Sequence, residues 1–133
     1  MIAENLKQSI LAALNDTLPD IKMAILFGSL AAGKERFESD LDLAIDAGHS
    51  LTTSEKIALI SALAESIGRP VDLVDLRDVG EPLLGQILQH GERLQGSNTR
   101  YGELIRQHVF DQADFMPYVD RILAERRRAW IGK

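Results

Sequence analysis

Three aspartates have the residue type and the spacing for metal-dependent chemistry. Asp40 and Asp42 lie two residues apart in the segment Asp-Leu-Asp-Leu-Ala-Ile-Asp, and Asp72 lies in the next apolar run. Because side chains alternate along a strand, Asp40 and Asp42 share one face, with Cα atoms about 7 Å apart. Carboxylate oxygens so placed suit Mg²⁺ that also binds substrate phosphates. If the two strands are neighbours, Asp72 completes a cluster able to hold two metal ions about 4 Å apart for phosphoryl transfer.

A Gly-Ser pair, Gly28-Ser29, follows an apolar run that ends at Phe27. Glycine lets the main chain approach a phosphate closely. The Ser29 hydroxyl and the amides after it can donate hydrogen bonds to phosphate oxygens, and a helix that began here would add an anion site at its N-terminus. The pair therefore predicts contacts with the phosphates of a substrate.

The elements that must position these residues follow from hydrophobic periodicity. Strands are predicted over residues 21–27, 40–46 and 70–76, with a short edge strand around Leu94. Helices are predicted over residues 3–14, 53–67 and 82–90, the second capped by Thr52 or Thr53 and ended by Gly68. Two more helices are predicted after Thr99, the first with one face formed by Tyr101, Leu104, Ile105, His108 and Val109.

Composition narrows the function classes. The chain has 133 residues, 45% of them hydrophobic and 26% charged, which fits one domain with a real core. It contains no cysteine, which excludes a disulfide scaffold, a thiolate zinc site, an iron–sulfur cluster and a cysteine nucleophile. Its net charge of −5 argues against strong direct binding to nucleic acid, which needs a basic face.

The charge is unevenly distributed along the chain. Residues 1–97 carry 8 basic and 15 acidic side chains, whereas residues 98–133 carry 7 basic and 5 acidic ones. We therefore predict a catalytic domain over residues 1–97 and a helical extension over residues 98–133. The run Arg126-Arg127-Arg128 with Trp130 favours a partner-binding helix, because Arg and Trp are common interface anchors. An RNA contact and a solvated helix remain alternatives.

No apolar run approaches the roughly 20 residues that span a bilayer, so we predict no membrane contact. The first 16 residues include Glu4 and Asp16 and read as an amphipathic helix, not as a signal peptide. The sequence therefore predicts a cytoplasmic protein.

Gly28-Ser29, ten further residues, Asp40-Leu41-Asp42 and then Asp72 together resemble the signature of the DNA polymerase β-like nucleotidyltransferases. Over roughly residues 21–95 the short chain resembles the minimal nucleotidyltransferases. More narrowly it is similar to the MntA-type (MNT) antitoxins that accompany HEPN-domain ribonuclease toxins. The resemblance implies an α/β (α+β) fold, a small mixed sheet with helices on one side, followed by C-terminal helices.

The resemblance also implies an activity: transfer of AMP from ATP to a tyrosine hydroxyl of a cognate HEPN toxin, which releases pyrophosphate and silences the toxin. By match to the motif, Asp40 and Asp42 would hold Mg²⁺, and Gly28 and Ser29 would hold the β- and γ-phosphates. Asp72 would bind the catalytic metal and help to deprotonate the acceptor.

One position departs from the family pattern. Many members have arginine where this chain has Ala32, so a cation that neutralises phosphate is missing there. Lys34 and Arg36 are the nearby candidates to substitute for it, with ordinary surface charge as the alternative for each. The departure keeps one alternative open, an antitoxin that neutralises its toxin by binding alone. A second alternative keeps catalysis but changes the acceptor: a small-molecule nucleotidyltransferase of the aminoglycoside type, although such enzymes usually carry a larger substrate domain.

Other polar residues nearby have competing interpretations. Asp75 competes with Asp72 for the role of third acid, but strand alternation places the two on opposite faces, and Asp72 occupies the motif position. Asp46 shares the face of Asp42 but ends its strand, so we predict a solvated residue. Arg77 is a candidate phosphate contact or an ordinary surface charge.

Overall fold

The computed structural model describes residues 3–31 and 40–111 of the chain. Helices and strands alternate through this part. Their bounds are α1 (Glu4–Thr17), β1 (Met23–Phe27), α2 (Gly28–Ala31), β2 (Leu41–Asp46), α3 (Thr53–Ile67), β3 (Val71–Asp75), α4 (Leu83–His90) and β4 (Glu92–Gly96). Residues 98–111 are also helical and are called α5 below.

The described strands form one mixed sheet in the order β3-β2-β1-β4. β1 runs antiparallel to both β2 and β4. β2 and β3 run parallel, joined by a crossover through α3. The predicted small mixed sheet is confirmed, and β2 and β3 are neighbours, as a cluster of three aspartates requires.

Helices cover both faces of the sheet, which corrects the expectation of helices on one side. On one face α1 and α3 pack on the inward side chains of β1 and β2, which form a core of Ile10, Leu14, Leu59 and Leu63 with Ala24, Leu26, Leu41, Leu43 and Ile45. On the other face α4 and α5 pack through Leu84, Ile87 and Leu104 against Met23, Ile25 and Ala44. Asp42 and Asp72 lie on this second face, because they alternate with Leu41, Leu43 and Leu73 of the first.

The capping residues predicted both ends of α3 correctly, whereas the predicted end of α1 was too early. α3 begins and ends as predicted: Thr52 forms a capping box with Glu55, and Gly68 closes the helix in the left-handed conformation. α1 instead continues three residues beyond the predicted end at Leu14. In this extension the Asn15 side chain donates hydrogen bonds to the Leu11 carbonyl oxygen one turn earlier and to the Gln95 side chain of β4.

The buried face of α5 is narrower than predicted. Leu104 is fully buried, and the Tyr101 hydroxyl donates a hydrogen bond to the Leu88 carbonyl oxygen. Ile105 and Val109, predicted on the same face, are 42% and 55% exposed. Only part of the apolar surface of α5 therefore packs on the sheet.

Several predictions fall outside the described residues. These are the second C-terminal helix, the Arg126–Arg128 run and the candidate phosphate contacts Lys34 and Arg36. The domain boundary at residue 97 stays a prediction. Within residues 3–31 and 40–111, no helix is long and apolar enough to cross a bilayer.

Candidate active site

The structure places Asp42 and Asp72 side by side at one end of the sheet, and Asp40 follows at the start of the same segment as Asp42. Asp42 lies directly opposite Asp72 in the parallel register of β2 and β3, so their side chains leave the same face. On its other side Asp42 pairs with Phe27, the last residue of β1. Asp40 is exposed one residue before β2 begins. Asp42 therefore lies on the middle one of three adjacent strands, between Phe27 of β1 and Asp72 of β3.

The electrostatics of Asp42 show that the three carboxylates interact. Burial is the largest effect that raises the pKa of Asp42 above its ordinary value, and repulsion from Asp72 and then Asp40 raises that pKa further. A bound cation would relieve this repulsion, and hard carboxylate oxygens are the donors that Mg²⁺ prefers. The donor set therefore fits the metal that the sequence predicted.

The positions of the acidic side chains show how many metal ligands the protein itself supplies. In the described part of the chain, no three His, Asp or Glu side chains are grouped closely enough to hold a metal ion by themselves. Mg²⁺ commonly takes one or two carboxylates and completes its octahedron with water and substrate phosphates. The geometry fits a site that becomes complete only when the substrate brings its phosphates.

Gly28 lies directly against Asp42. Its φ is +75°, in the left-handed region, and a Cβ atom placed on it would lie 2.2 Å from the Oδ2 atom of Asp42. Gly28 is also the first residue of α2, and Ser29 is the second. The main chain at the end of β1 therefore turns beside the carboxylate, in a space that no side chain can share.

We expect Gly28→Ala to destabilise the fold by about 2–4 kcal/mol. A left-handed conformation costs a residue with a Cβ about 1–2 kcal/mol, and the contact with Asp42 adds to that cost. The free energy of unfolding in urea measures the loss.

Gly68→Ala is the matched control for Gly28→Ala. Gly68 has nearly the same φ, +73°, but a Cβ atom there would meet nothing within 4 Å. Its replacement isolates the conformational cost of about 1–2 kcal/mol. Equal losses for the two variants would contradict the close approach of Gly28 to Asp42.

Asp46 is not the solvated residue that the sequence predicted. Its side chain is 0% exposed, with Oδ1 3.0 Å from Nε of Arg77 and Oδ2 hydrogen-bonded to Nε of Arg100. Burial alone would raise the pKa of Asp46, but the Gly48 amide and the two guanidinium groups hold it below its ordinary value. Asp46 therefore ties β2 to the loop after β3 and to α5.

The ion pair with Asp46 gives Arg77 a structural role. Arg77 binds Asp46 near the opposite end of β2 from Asp42, so the described contacts do not support Arg77 as a phosphate contact. No short-range pattern in the sequence links these residues. The sequence contains one indication that Asp46 is not simply solvated: alternation along the strand places it on the same face as Asp42.

Asp75, the alternative third acid, has a structural role. Its Oδ2 atom accepts a hydrogen bond from the Leu51 amide at 2.8 Å, and its Oδ1 atom accepts one from the Arg77 amide at 2.9 Å. Asp75 is buried, and it lies opposite Ile45 in the register of β2 and β3. The structure thus places Asp72, and not Asp75, beside Asp42.

Comparisons with known sequences agree with this geometry. A family model described as polymerase beta, nucleotidyltransferase, matches residues 8–100. The curated protein adenylyltransferase MntA of Shewanella oneidensis is 33% identical over 91 residues, which are 68% of this chain and 66% of that protein. The chain thus spans about two thirds of the length of that relative.

Solved structures show the same likeness. A toxin–antitoxin structure with AMP-PNP contains a chain with a TM-score of 0.73 and 28% identity, covering 88% of this chain and 98% of that one. The complex of tri-AMPylated Shewanella oneidensis HEPN toxin with MNT antitoxin contains one with a TM-score of 0.70 and 26% identity, covering 90% and 98%. Spectinomycin adenyltransferase of Enterococcus faecialis, at 15% identity, shares the fold alone.

Proposed function

Because this chain belongs to the polymerase beta nucleotidyltransferase family, we propose that it transfers AMP from ATP to a tyrosine of a cognate HEPN toxin and so acts as the antitoxin. The observation that carries the proposal is the position of Asp42, between the glycine turn at Gly28 and Asp72. The likeness to an MntA adenylyltransferase and to complexes with AMP-PNP and with an AMPylated HEPN toxin supports the same reaction. We place this reaction in the cytoplasm.

On the nucleotide side, the turn at Gly28 lets main-chain amides approach the β- and γ-phosphates, and the Ser29 hydroxyl adds a donor. Asp40 and Asp42 would hold Mg²⁺, which when bound supplies positive charge to the phosphate oxygens and the leaving group. Because Gly28 packs closely on Asp42, the turn that would meet the phosphates lies directly beside the carboxylate that would hold the metal.

On the acceptor side, Asp72 faces the same region as Asp42 and is exposed to solvent. The tyrosine oxygen forms a bond to the α-phosphorus, and the bond from that phosphorus to the α–β bridging oxygen breaks. Pyrophosphate leaves, and Asp72 accepts the phenolic proton. The product is a phosphodiester between AMP and the tyrosine.

The helical extension over residues 98–133 is the proposed toxin-facing part of the chain. Its described portion exposes apolar side chains, with Ile105 at 42%, Val109 at 55% and Phe110 at 54%. A contiguous exposed apolar patch is typical of a surface that binds another protein.

The direct test is to mix the purified protein with ATP, Mg²⁺ and the product of the neighbouring reading frame, which the proposal expects to be a HEPN protein. Mass spectrometry of the partner should show added AMP on a tyrosine. Omission of Mg²⁺ should abolish the addition. Neutralisation of the toxin without any added AMP would favour the alternative of an antitoxin that acts by binding alone.

A further inference from the structure

A cleft lies at the end of the sheet opposite the candidate active site, with a volume of about 400 Å³. Its lining comes from the residues before β1, the ends of β2 and β4, the loop after β3 and the beginning of α5. Met23, the first residue of β1, lies opposite both Asp46 and Gly96. Asp42 instead lies opposite Phe27, at the other end of β1. The cleft is therefore separate from the candidate active site.

The cleft is positively charged. Lys22, Arg77 and Arg100 line it together with Asp46 and Glu103, so three basic against two acidic side chains leave a net charge of +1. Asp46 is fully buried between the two guanidinium groups, and its single charge balances only one of them. Glu103 is 60% exposed, so water weakens its ion pair with Arg100. An anion is thus attracted to this cleft in a protein whose own net charge is −5.

The basic side chains of the cleft have hydrogen-bond donors to spare. Within the described residues, the side chain of Arg77 donates to Asp46 through Nε, which leaves both of its Nη groups. Arg100 uses Nε and Nη1, which leaves Nη2. Lys22 is exposed and has no ion pair in residues 3–31 and 40–111. The Ser97 hydroxyl lines the cleft and accepts from the Arg100 amide at 3.1 Å, so its own proton remains available.

We propose that this cleft binds the phosphate group of a small phosphorylated molecule. Guanidinium groups are suited to phosphate, because several N–H groups can donate to its oxygens at once. The Nη groups of Arg77 and Arg100 make these contacts, and Lys22 adds a further positive charge. Arg77 lies at the wrong end of the sheet for the ATP phosphates proposed at Gly28, so it serves this second phosphate instead. The inference does not depend on the proposed function.

The composition of the lining narrows the ligand further. Among the described residues, no aromatic side chain lines the cleft, so it offers no surface on which a base could stack. The phosphate itself is therefore the group that is recognised. Once bound, it joins the residues before β1, the loop after β3 and α5 through one ligand, and so stabilises this end of the fold.

An NMR titration of the isotope-labelled full chain with inorganic phosphate, without Mg²⁺, tests the proposal. Sodium chloride at the same ionic strength is the reference. We expect saturable shifts in the side-chain Nε signals of Arg77 and Arg100 and in the Ser97 amide. Lys22→Gln should weaken phosphate binding by roughly two- to fivefold, the effect of one exposed charge, whereas Lys22→Arg should keep the affinity. Pyrophosphate and AMP are titrated in the same way, and the tightest of the three ligands identifies the source of the phosphate.

Lys56→Gln is the matched control, because Lys56 is an exposed lysine on α3 that does not line this cleft. This variant should bind phosphate as the wild type does. A response that does not saturate, or that acetate or chloride reproduces, would overturn the site. Equal weakening by Lys22→Gln and Lys56→Gln would overturn it too. Shifts confined to Gly28 and Ser29 would overturn the cleft and leave the proposed function standing.

Discussion

Asp42→Asn is expected to lower kcat for AMP transfer by about a thousandfold while making the protein more stable without Mg²⁺. The loss follows because one electrostatic group aimed at the reacting phosphates is worth about 10²–10³ in rate, and Asp42 also shapes the space beside Gly28. The gain follows because burial and repulsion from Asp72 and Asp40 raise the pKa of Asp42. A raised pKa means that the ionised carboxylate destabilises the native state at neutral pH, and asparagine removes that cost.

Two measurements check this pair of opposite effects: the rate of AMP transfer, and the melting temperature with and without Mg²⁺. The wild type should be stabilised by Mg²⁺, and the variant should have a higher Tm without the ion and gain little from it. Asp16→Asn, at an exposed carboxylate on α1, is the control and should change neither quantity. A variant less stable than the wild type in the absence of Mg²⁺ would contradict the repulsion among the three carboxylates.

Asp46→Asn should destabilise the native state strongly, with a loss of about 2–3 kcal/mol at neutral pH. Removal of one partner from a buried ion pair commonly costs about 3–5 kcal/mol. The loss here is smaller because the side chains of Arg77 and Arg100 are 41% and 21% exposed and can regain water. Urea unfolding measures the change. Asp78→Asn, the same substitution at an exposed carboxylate, should change the free energy of unfolding by less than about 0.5 kcal/mol.

The pH dependence of the same variant gives an independent check. The native pKa of Asp46 lies below its ordinary value, so its contribution is complete above the unfolded pKa of about 3.9. That contribution is lost as the pH falls through the native pKa. The stability gap between wild type and Asp46→Asn should therefore be constant near pH 7 and shrink below about pH 4. A gap that stayed constant down to pH 2 would show that the charge of Asp46 contributes nothing.

The sequence predicted the positions of residues correctly where strand alternation and hydrophobic runs determine them. Alternation along the strands put Asp42 and Asp72 on one face, and apolar runs located the strands. Asp46 obeyed the same alternation but was misjudged, because its partners Arg77 and Arg100 lie 31 and 54 residues away. Local patterns carry no information about contacts at that separation.

The sequence of β1 already indicated that helices cover both faces of the sheet, although we predicted helices on one side only. β1 is apolar at each of its five positions, Met23–Phe27, instead of alternating with polar residues. Such continuous runs are typical of strands that are buried on both faces. The close approach of Gly28 to Asp42, in contrast, depends on the pairing of β1 with β2, which the sequence does not specify.

The strand order has a consequence for synthesis of the chain on the ribosome. β1 and its partner β4 are separated in sequence by α2, β2, α3, β3 and α4. While the chain grows, β1 can pair with β2 as soon as that hairpin emerges, but its second edge stays open until Glu92–Gly96 has been translated. An unpaired apolar edge invites pairing with other chains. A protein truncated before β4 should therefore aggregate, even though it already contains the Gly-Ser pair and all three aspartates.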